Sequence, residues 1–147
     1  VRNPWDRLVS AFFYLRREGP NLAAASDDYR SWWERNFVPH SDFEAFVCNW
    51  LTPENARTDV HFAPQSCFIC DPSGRVMMDF VGRFETLDRD FDLIARRLRV
   101  TARLPITNQS GHVDYRRYYT PRMNAMVQQV YASDCQIFGY SSPFSGL

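Results

Sequence analysis

Arg2 and Ser10 are the first residues whose types and spacing offer chemistry. Val1-Arg2 reads as the end of a strand. Asn3-Pro4 stops it and opens a helix, because Asn can cap free N–H groups and Pro is tolerated where no N–H partner is needed. Trp5, Leu8, Val9 and Phe12 follow at i, i+3, i+4 and i+7, which makes one apolar helix face. Arg2, at the strand end, and Ser10, off that face, remain for other work. A guanidinium fork and a hydroxyl beside a helix start suit a bound phosphate. The competing reading is a surface arginine and a solvated serine.

The elements that position these residues follow in order. A first helix is expected from about Pro4 to Arg17, stopped by Glu18-Gly19-Pro20, with a small polar loop from Asn21 to Ser26. Asp27 to Asn36 suits a short helix. Its adjacent Trp32 and Trp33 cannot both face one core, so one either edges a cleft or packs on a neighbouring helix. Ser41-Asp42-Phe43-Glu44 is a capping box, and Phe43, Phe46, Val47, Trp50 and Leu51 mark the buried face of the helix it opens. Ser66 to Cys70 and Val76 to Val81 read as strands joined by the turn Asp71-Pro72-Ser73-Gly74. Arg83-Phe84-Glu85 then lies at a strand C-terminus, where ligands of open α/β sheets collect. Thr86 caps a helix to about Arg99 with Leu87, Phe91, Ile94, Ala95 and Leu98 inward. The nearby Arg96, Arg97, Arg99 and Arg103 form either a solvated helix end or an anionic glycan track. Leu104 to Tyr119 is a long loop of the kind that often covers a site. Thr120-Pro121 opens the last helix, with Met123, Met126, Val127, Val130 and Tyr131 buried. The tail from Phe138 onward is loose.

At 147 residues the chain is one domain, and 45% hydrophobic residues favour a packed globule. Basic and acidic residues balance at 17 each, so the net charge gives no pull toward nucleic acid or membrane. No run of about 18 apolar residues is present to span a bilayer. Cys67-x-x-Cys70 with His61 nearby raises zinc, but the second ligand pair is missing. In a strand, residues three apart point to opposite faces. Buried thiols, a disulfide and, least, a metal stay open for Cys48, Cys67, Cys70 and Cys135.

The opening pattern R-N-P-x-x-R-x-x-S-x-F resembles the 3′-phosphate-binding motif of sulfotransferases that use 3′-phosphoadenosine 5′-phosphosulfate (PAPS). The closer likeness is to carbohydrate sulfotransferases of the chondroitin 4-O- and HNK-1 type, in sulfotransferase family 2. Further stretches agree in order: His61-Phe62-Ala63-Pro64-Gln65, Asp79 to Leu87, Leu104-Pro105 with Asn108 and Ser110, and Tyr118-Tyr119-Thr120-Pro121 leading to Tyr131, Asp134 and Phe138-Gly139-Tyr140. The resemblance implies an α/β, P-loop-NTPase-like fold with a parallel sheet flanked by helices. In that family a glycine-containing, Lys-bearing phosphosulfate loop precedes the segment that opens this chain. All 17 basic residues here are Arg. The expectation is therefore an N-terminally truncated domain, or one without the grip on the sulfate end. Arg without Lys also suggests GC-rich coding and a bacterial, cytoplasmic protein; related eukaryotic enzymes sit in the Golgi lumen.

The resemblance implies that Arg2 and Ser10 hold the donor's 3′-phosphate, with adenosine 3′,5′-bisphosphate as product and no metal. In such a fold a late basic loop closes over the nucleotide, and Arg116 and Arg117 are the candidates by location. Sulfuryl transfer needs an in-line donor, neutralised charge and a base for the acceptor hydroxyl. His61 is the best base available, unless it only orders the Pro64-Gln65 turn. His40 and His112 have weaker surroundings. Glu85 either orients Arg83 or a substrate hydroxyl, or is a helix-start charge. The partner expected is a carbohydrate or other hydroxyl acceptor, with no nucleic acid. A non-catalytic nucleotide- or sulfated-glycan-binding relative is the alternative, and a P-loop-related kinase a more distant one.

Overall fold

The computed structural model describes residues 1–105 and 114–144, and they are helical. In order, α1 is Pro4–Ala25, α2 Asp27–Asn36, α3 Phe43–Asn49, α4 Pro53–Ala56, α5 Ser66–Ile69, α6 Leu87–Leu98, α7 Pro121–Val130 and α8 Ala132–Phe138. Two 3-10 turns, Phe84–Thr86 and Tyr115–Tyr118, lie between them. Among the described residues no helix is long and apolar enough to cross a membrane.

The core forms along the predicted face of α1. Trp5, Leu8, Val9, Phe12 and Leu15 are buried against Phe43, Phe46 and Val47 of α3, together with Trp50, Leu51 and Phe62. From α7, Met123 and Val127 close the same cluster, with Tyr131 beyond the helix end. Aromatic rings interlock through it: Phe46 stacks on Trp50 at 4.7 Å, and Phe12 meets Phe43 edge-on at 5.4 Å. Such pairs add about 0.5–1.5 kcal/mol each beyond the area they bury. The α3 face predicted from spacing is the buried one. Its cap is Asp42 rather than Ser41, accepting Ala45 N–H at 2.8 Å.

The first helix overruns its expected stop and passes through Gly19-Pro20 to Ala25. Pro20 forfeits one helical hydrogen bond, but Ala23 is buried and Leu22 packs on the core. Tertiary burial overrides the local breaker. Gly19 serves a close approach: a Cβ there would overlap the Trp33 indole nitrogen and lie 2.8 Å from its Cε2. Gly19→Ala is therefore expected to destabilise the protein by about 1–2 kcal/mol, since overpacking of about 1–3 kcal/mol outweighs the roughly 1 kcal/mol that alanine gains in a helix. Urea denaturation would show it, and an unchanged midpoint would refute it. Trp32 and Trp33 both end half-buried, with Trp32 Nε1 donating to Thr58 Oγ1 at 2.9 Å.

The expected parallel sheet flanked by helices is not what the described residues form. Ser66–Ile69 is a helical turn, because Asp134 accepts the N–H groups of Gln65 and Ser66 at its start. The turn at Asp71–Gly74 is present: Asp71 Oδ1 accepts Ser73 N–H at 2.9 Å, and Gly74 takes φ +85°. Its flanks pair only through one isolated antiparallel bridge, Cys70 with Val76. Exposure of Met77, Met78 and Phe68 leaves no second apolar layer to bury a strand there. In α6 the predicted inner face is also looser than expected. Ala95 is buried, whereas Leu87 and Leu98 are exposed.

Candidate active site

The first three residues are held by backbone and side-chain bonds from distant segments. Phe84 N–H donates to Val1 O at 2.7 Å, and the Val1 amino group donates to Gly82 O at 2.6 Å. Gln65 clasps Arg2 from one side: its Oε1 accepts Arg2 N–H and its Nε2 donates to Arg2 O, both at 2.8 Å. Asp134, fully buried, fixes Gln65 in turn by accepting Gln65 N–H at 2.7 Å and Ser66 N–H at 2.8 Å. Asn3 caps α1 as expected, accepting Trp5 N–H at 3.0 Å, while its own N–H donates to Glu85 Oε1 at 2.5 Å. Glu85 Oε2 accepts the Tyr140 hydroxyl at 3.0 Å, so it anchors both the α1 entry and the C-terminal segment.

Arg2 lies with its guanidinium over the Phe84 ring, 4.2 Å from the centroid, and donates Nε–H to Asp6 at 2.7 Å. That bond uses Nε, so the Nη edge is the one a phosphate would meet. The side chain is 18% exposed, enough to be reached and enough to be held. Ser10 is half-buried on α1. It stands three residues after Arg7 and four before Tyr14, on one helix face. Arg7 spans to the loop beyond α4, donating to Ala63 O at 2.8 Å and Val60 O at 3.1 Å. Burial works against its charge, and Tyr131, Asp134 and Asp59 offset part of this.

That same loop carries His61. Its ring stacks on Tyr14, with centroids 5.3 Å apart, and its Nδ1 lies 2.9 Å from Asp59 Oδ1. Asp59 is buried and also accepts His61 N–H at 2.8 Å. A carboxylate beside Nδ1 favours the tautomer that carries its proton there, which leaves Nε2 as the acceptor, the pairing that a base and its orienting group use. The structure thus sets His61 and Ser10 along one face of α1, through Arg7 and Tyr14.

Residues 1–141 match the model of the sulfotransferase family. The chain belongs to that family. Among curated proteins it is similar to mouse carbohydrate sulfotransferase 12, with 28% identity across 97% of this chain. The chain spans 39% of that relative's length. No solved structure matches it.

For a sulfotransferase the remaining candidates fall as follows. Arg116 and Arg117 lie on the 3-10 turn Tyr115–Tyr118, which packs on α1 through Tyr118 and Phe13, 5.1 Å apart. Both arginines are exposed, and Arg116 pairs with Asp114 at 3.6 Å. Burial pushes the Tyr115 phenol up, and the neighbouring Arg116 guanidinium works against it. Asn108, Ser110 and His112 lie outside the described residues. His40 is half-buried, edge-on to Phe46. No group of side chains suited to a metal occurs among the described residues. The Arg83 guanidinium donates to Phe138 O and sits over the Tyr140 ring. Arg83 N–H also donates to Asp90 Oδ2 at 2.8 Å, and this bond, more than that from Thr86, holds the Asp90 carboxyl below its usual range. A groove of about 470 Å³ beside it is lined by Phe80, Val81, Leu93, Arg89 and Arg96. Of the basic cluster, Arg96 reaches this groove, while Arg97, Arg99 and Arg103 are exposed.

Gln65, Asp134, Asp59 and Phe84 had no assigned role in the sequence. Asp59-x-His61 carried a local signal, since an Asp that accepts the N–H two residues on is a common turn. The other three act across 63 to 82 residues, where no spacing rule reaches.

Proposed function

We propose that the protein transfers a sulfuryl group from PAPS to a hydroxyl of a carbohydrate acceptor. Arg2 and Ser10 hold the donor's 3′-phosphate, Arg116 and Arg117 cover the nucleotide, and His61 takes the acceptor proton. Family membership supports the chemistry, and the name of the mouse relative supports a carbohydrate acceptor. The observation that carries the site is the clasped Arg2: its backbone is fixed on both polar atoms by Gln65 and its guanidinium is seated on Phe84. A pre-set guanidinium loses little freedom on meeting a phosphate, so most of its charged hydrogen bonding appears as affinity. In the reaction the acceptor oxygen bonds to sulfur as the bond from sulfur to the 5′-phosphate oxygen breaks. The acceptor proton goes to His61 Nε2. Adenosine 3′,5′-bisphosphate leaves.

Arg2→Ala is expected to weaken binding of adenosine 3′,5′-bisphosphate by about 1.5–3 kcal/mol, the scale of a hydrogen bond to a charged group. Isothermal titration calorimetry measures this directly. Ser10→Ala should cost less, about 0.5–1.5 kcal/mol. Unchanged affinity in the Arg2 variant would remove the site. Transfer from labelled PAPS to a glycan panel tests the activity, and transfer to no hydroxyl acceptor would leave a nucleotide-binding module in its place.

A further inference from the structure

We infer that Cys67 and Cys70 form a thiol–disulfide exchange couple, with Cys67 as the attacking sulfur and Cys70 as the resolving one. Cys67 lies inside the α5 turn, and Cys70 is the residue that caps its end, in extended backbone bridged to Val76. Cys67 is in α5, and Cys70 N–H closes the turn onto Ser66 O at 3.0 Å. The i to i+4 bond folds the chain back at this point, so the two cysteines sit at the start and the end of one closed turn. A disulfide needs about 3.8 Å between their Cβ atoms, which a change in the Cys70 backbone at the frayed end of this four-residue turn can supply. The opposite-face objection that a strand would raise does not arise here.

The surroundings of the two sulfurs differ in the sense that such a couple needs. Cys67 is exposed, and Arg57 Nη1 donates to its Sγ at 3.0 Å. A guanidinium there stabilises the negative charge that exchange places on the attacking and leaving sulfur. Cys70 is half-buried; desolvation pushes its thiol up, and Asp134, Asp71 and Cys67 add to it. All four cysteines are free thiols, and neither Cys48 nor Cys135 has a second cysteine within its own turn.

The oxidant is a small-molecule disulfide of the oxidised-glutathione class. Cys67, having given up its proton, attacks one sulfur of that disulfide. A mixed disulfide forms, and the first small thiolate leaves and takes the proton. Cys70 then loses its proton and attacks Cys67 Sγ. The mixed disulfide breaks, and the second small thiol leaves protonated. Two cysteine thiols are oxidised to one disulfide while the small disulfide is reduced to two thiols.

Incubation of the protein with oxidised glutathione, an acid quench and peptide mass spectrometry test this. The wild type is expected to yield a Cys67–Cys70 link. Cys70→Ser should accumulate a glutathione adduct on Cys67, and Cys67→Ser should leave Cys70 unmodified over the same interval. Arg57→Ala should slow the first step several-fold. A wild-type product that joins Cys48 or Cys135, an adduct spread evenly over all four cysteines, or no link at all would overturn the couple. The wild-type readout stands even where a serine variant folds poorly.

Discussion

His61→Ala is expected to lower kcat for sulfuryl transfer by about 10²- to 10⁴-fold, the range over which a positioned general base contributes. Affinity for adenosine 3′,5′-bisphosphate should stay within about twofold, because the His61 ring is held by Tyr14 and Asp59, neither of which is assigned to the 3′-phosphate. The split matters. A histidine that merely ordered the Pro64-Gln65 turn would, when removed, disturb the Gln65 clasp on Arg2 and weaken nucleotide binding along with turnover. Asp59→Asn provides the second arm. One Asp59 oxygen faces both His61 N–H and Nδ1, so the amide oxygen can keep both contacts, while the negative charge that stabilises the imidazolium formed in the reaction is lost. Its turnover should fall with binding intact. A His61 variant that keeps more than a tenth of wild-type kcat would place the base elsewhere.

What could be read from the chain follows the range over which each interaction acts. The α2 limits and the buried face of α3 were legible, because cap and apolar spacing are local and tertiary packing agrees with both. The end of α1 was not. Gly19-Pro20 is a stop by every local rule, and the helix runs on because Ala23 and Leu22 find burial beyond it and the Trp33 indole seats over Gly19. The segment Ser66 to Cys70 was misread for the same reason. A run of four apolar residues after Ser66 is ambiguous between strand and turn, and the deciding contact comes from Asp134. At the proposed site, the motif singles out Arg2 and Ser10. The Gln65 clasp and the Phe84 platform that hold Arg2 in place come from residues far along the chain. A motif names the group that touches the ligand, and the fold supplies what holds that group still.

Asp134→Ala carries the largest expected loss of stability, about 3–5 kcal/mol. The side chain is fully buried and accepts two backbone N–H groups, at 2.7 Å and 2.8 Å, with Gln65 Nε2 a further 3.4 Å away. Alanine leaves both N–H groups without their acceptor, at about 1–3 kcal/mol each. It also removes a negative charge that offsets the buried Arg7 guanidinium. Asp134→Asn should recover only part of the loss. Its carbonyl can accept one N–H, but its NH₂ would confront the other. Urea denaturation should therefore rank wild type above the Asn variant and the Asn variant above the Ala variant. The bisphosphate affinity of both should fall, because the clasp on Arg2 hangs from Gln65. Gln65→Ala separates the two effects in degree: the Asp134 bonds to the backbone remain, so the loss of stability should be smaller than in Asp134→Ala while affinity falls. An Asp134→Ala protein with an unshifted unfolding midpoint would show that the carboxylate is not the anchor on which the α5 turn and the Arg2 entry depend.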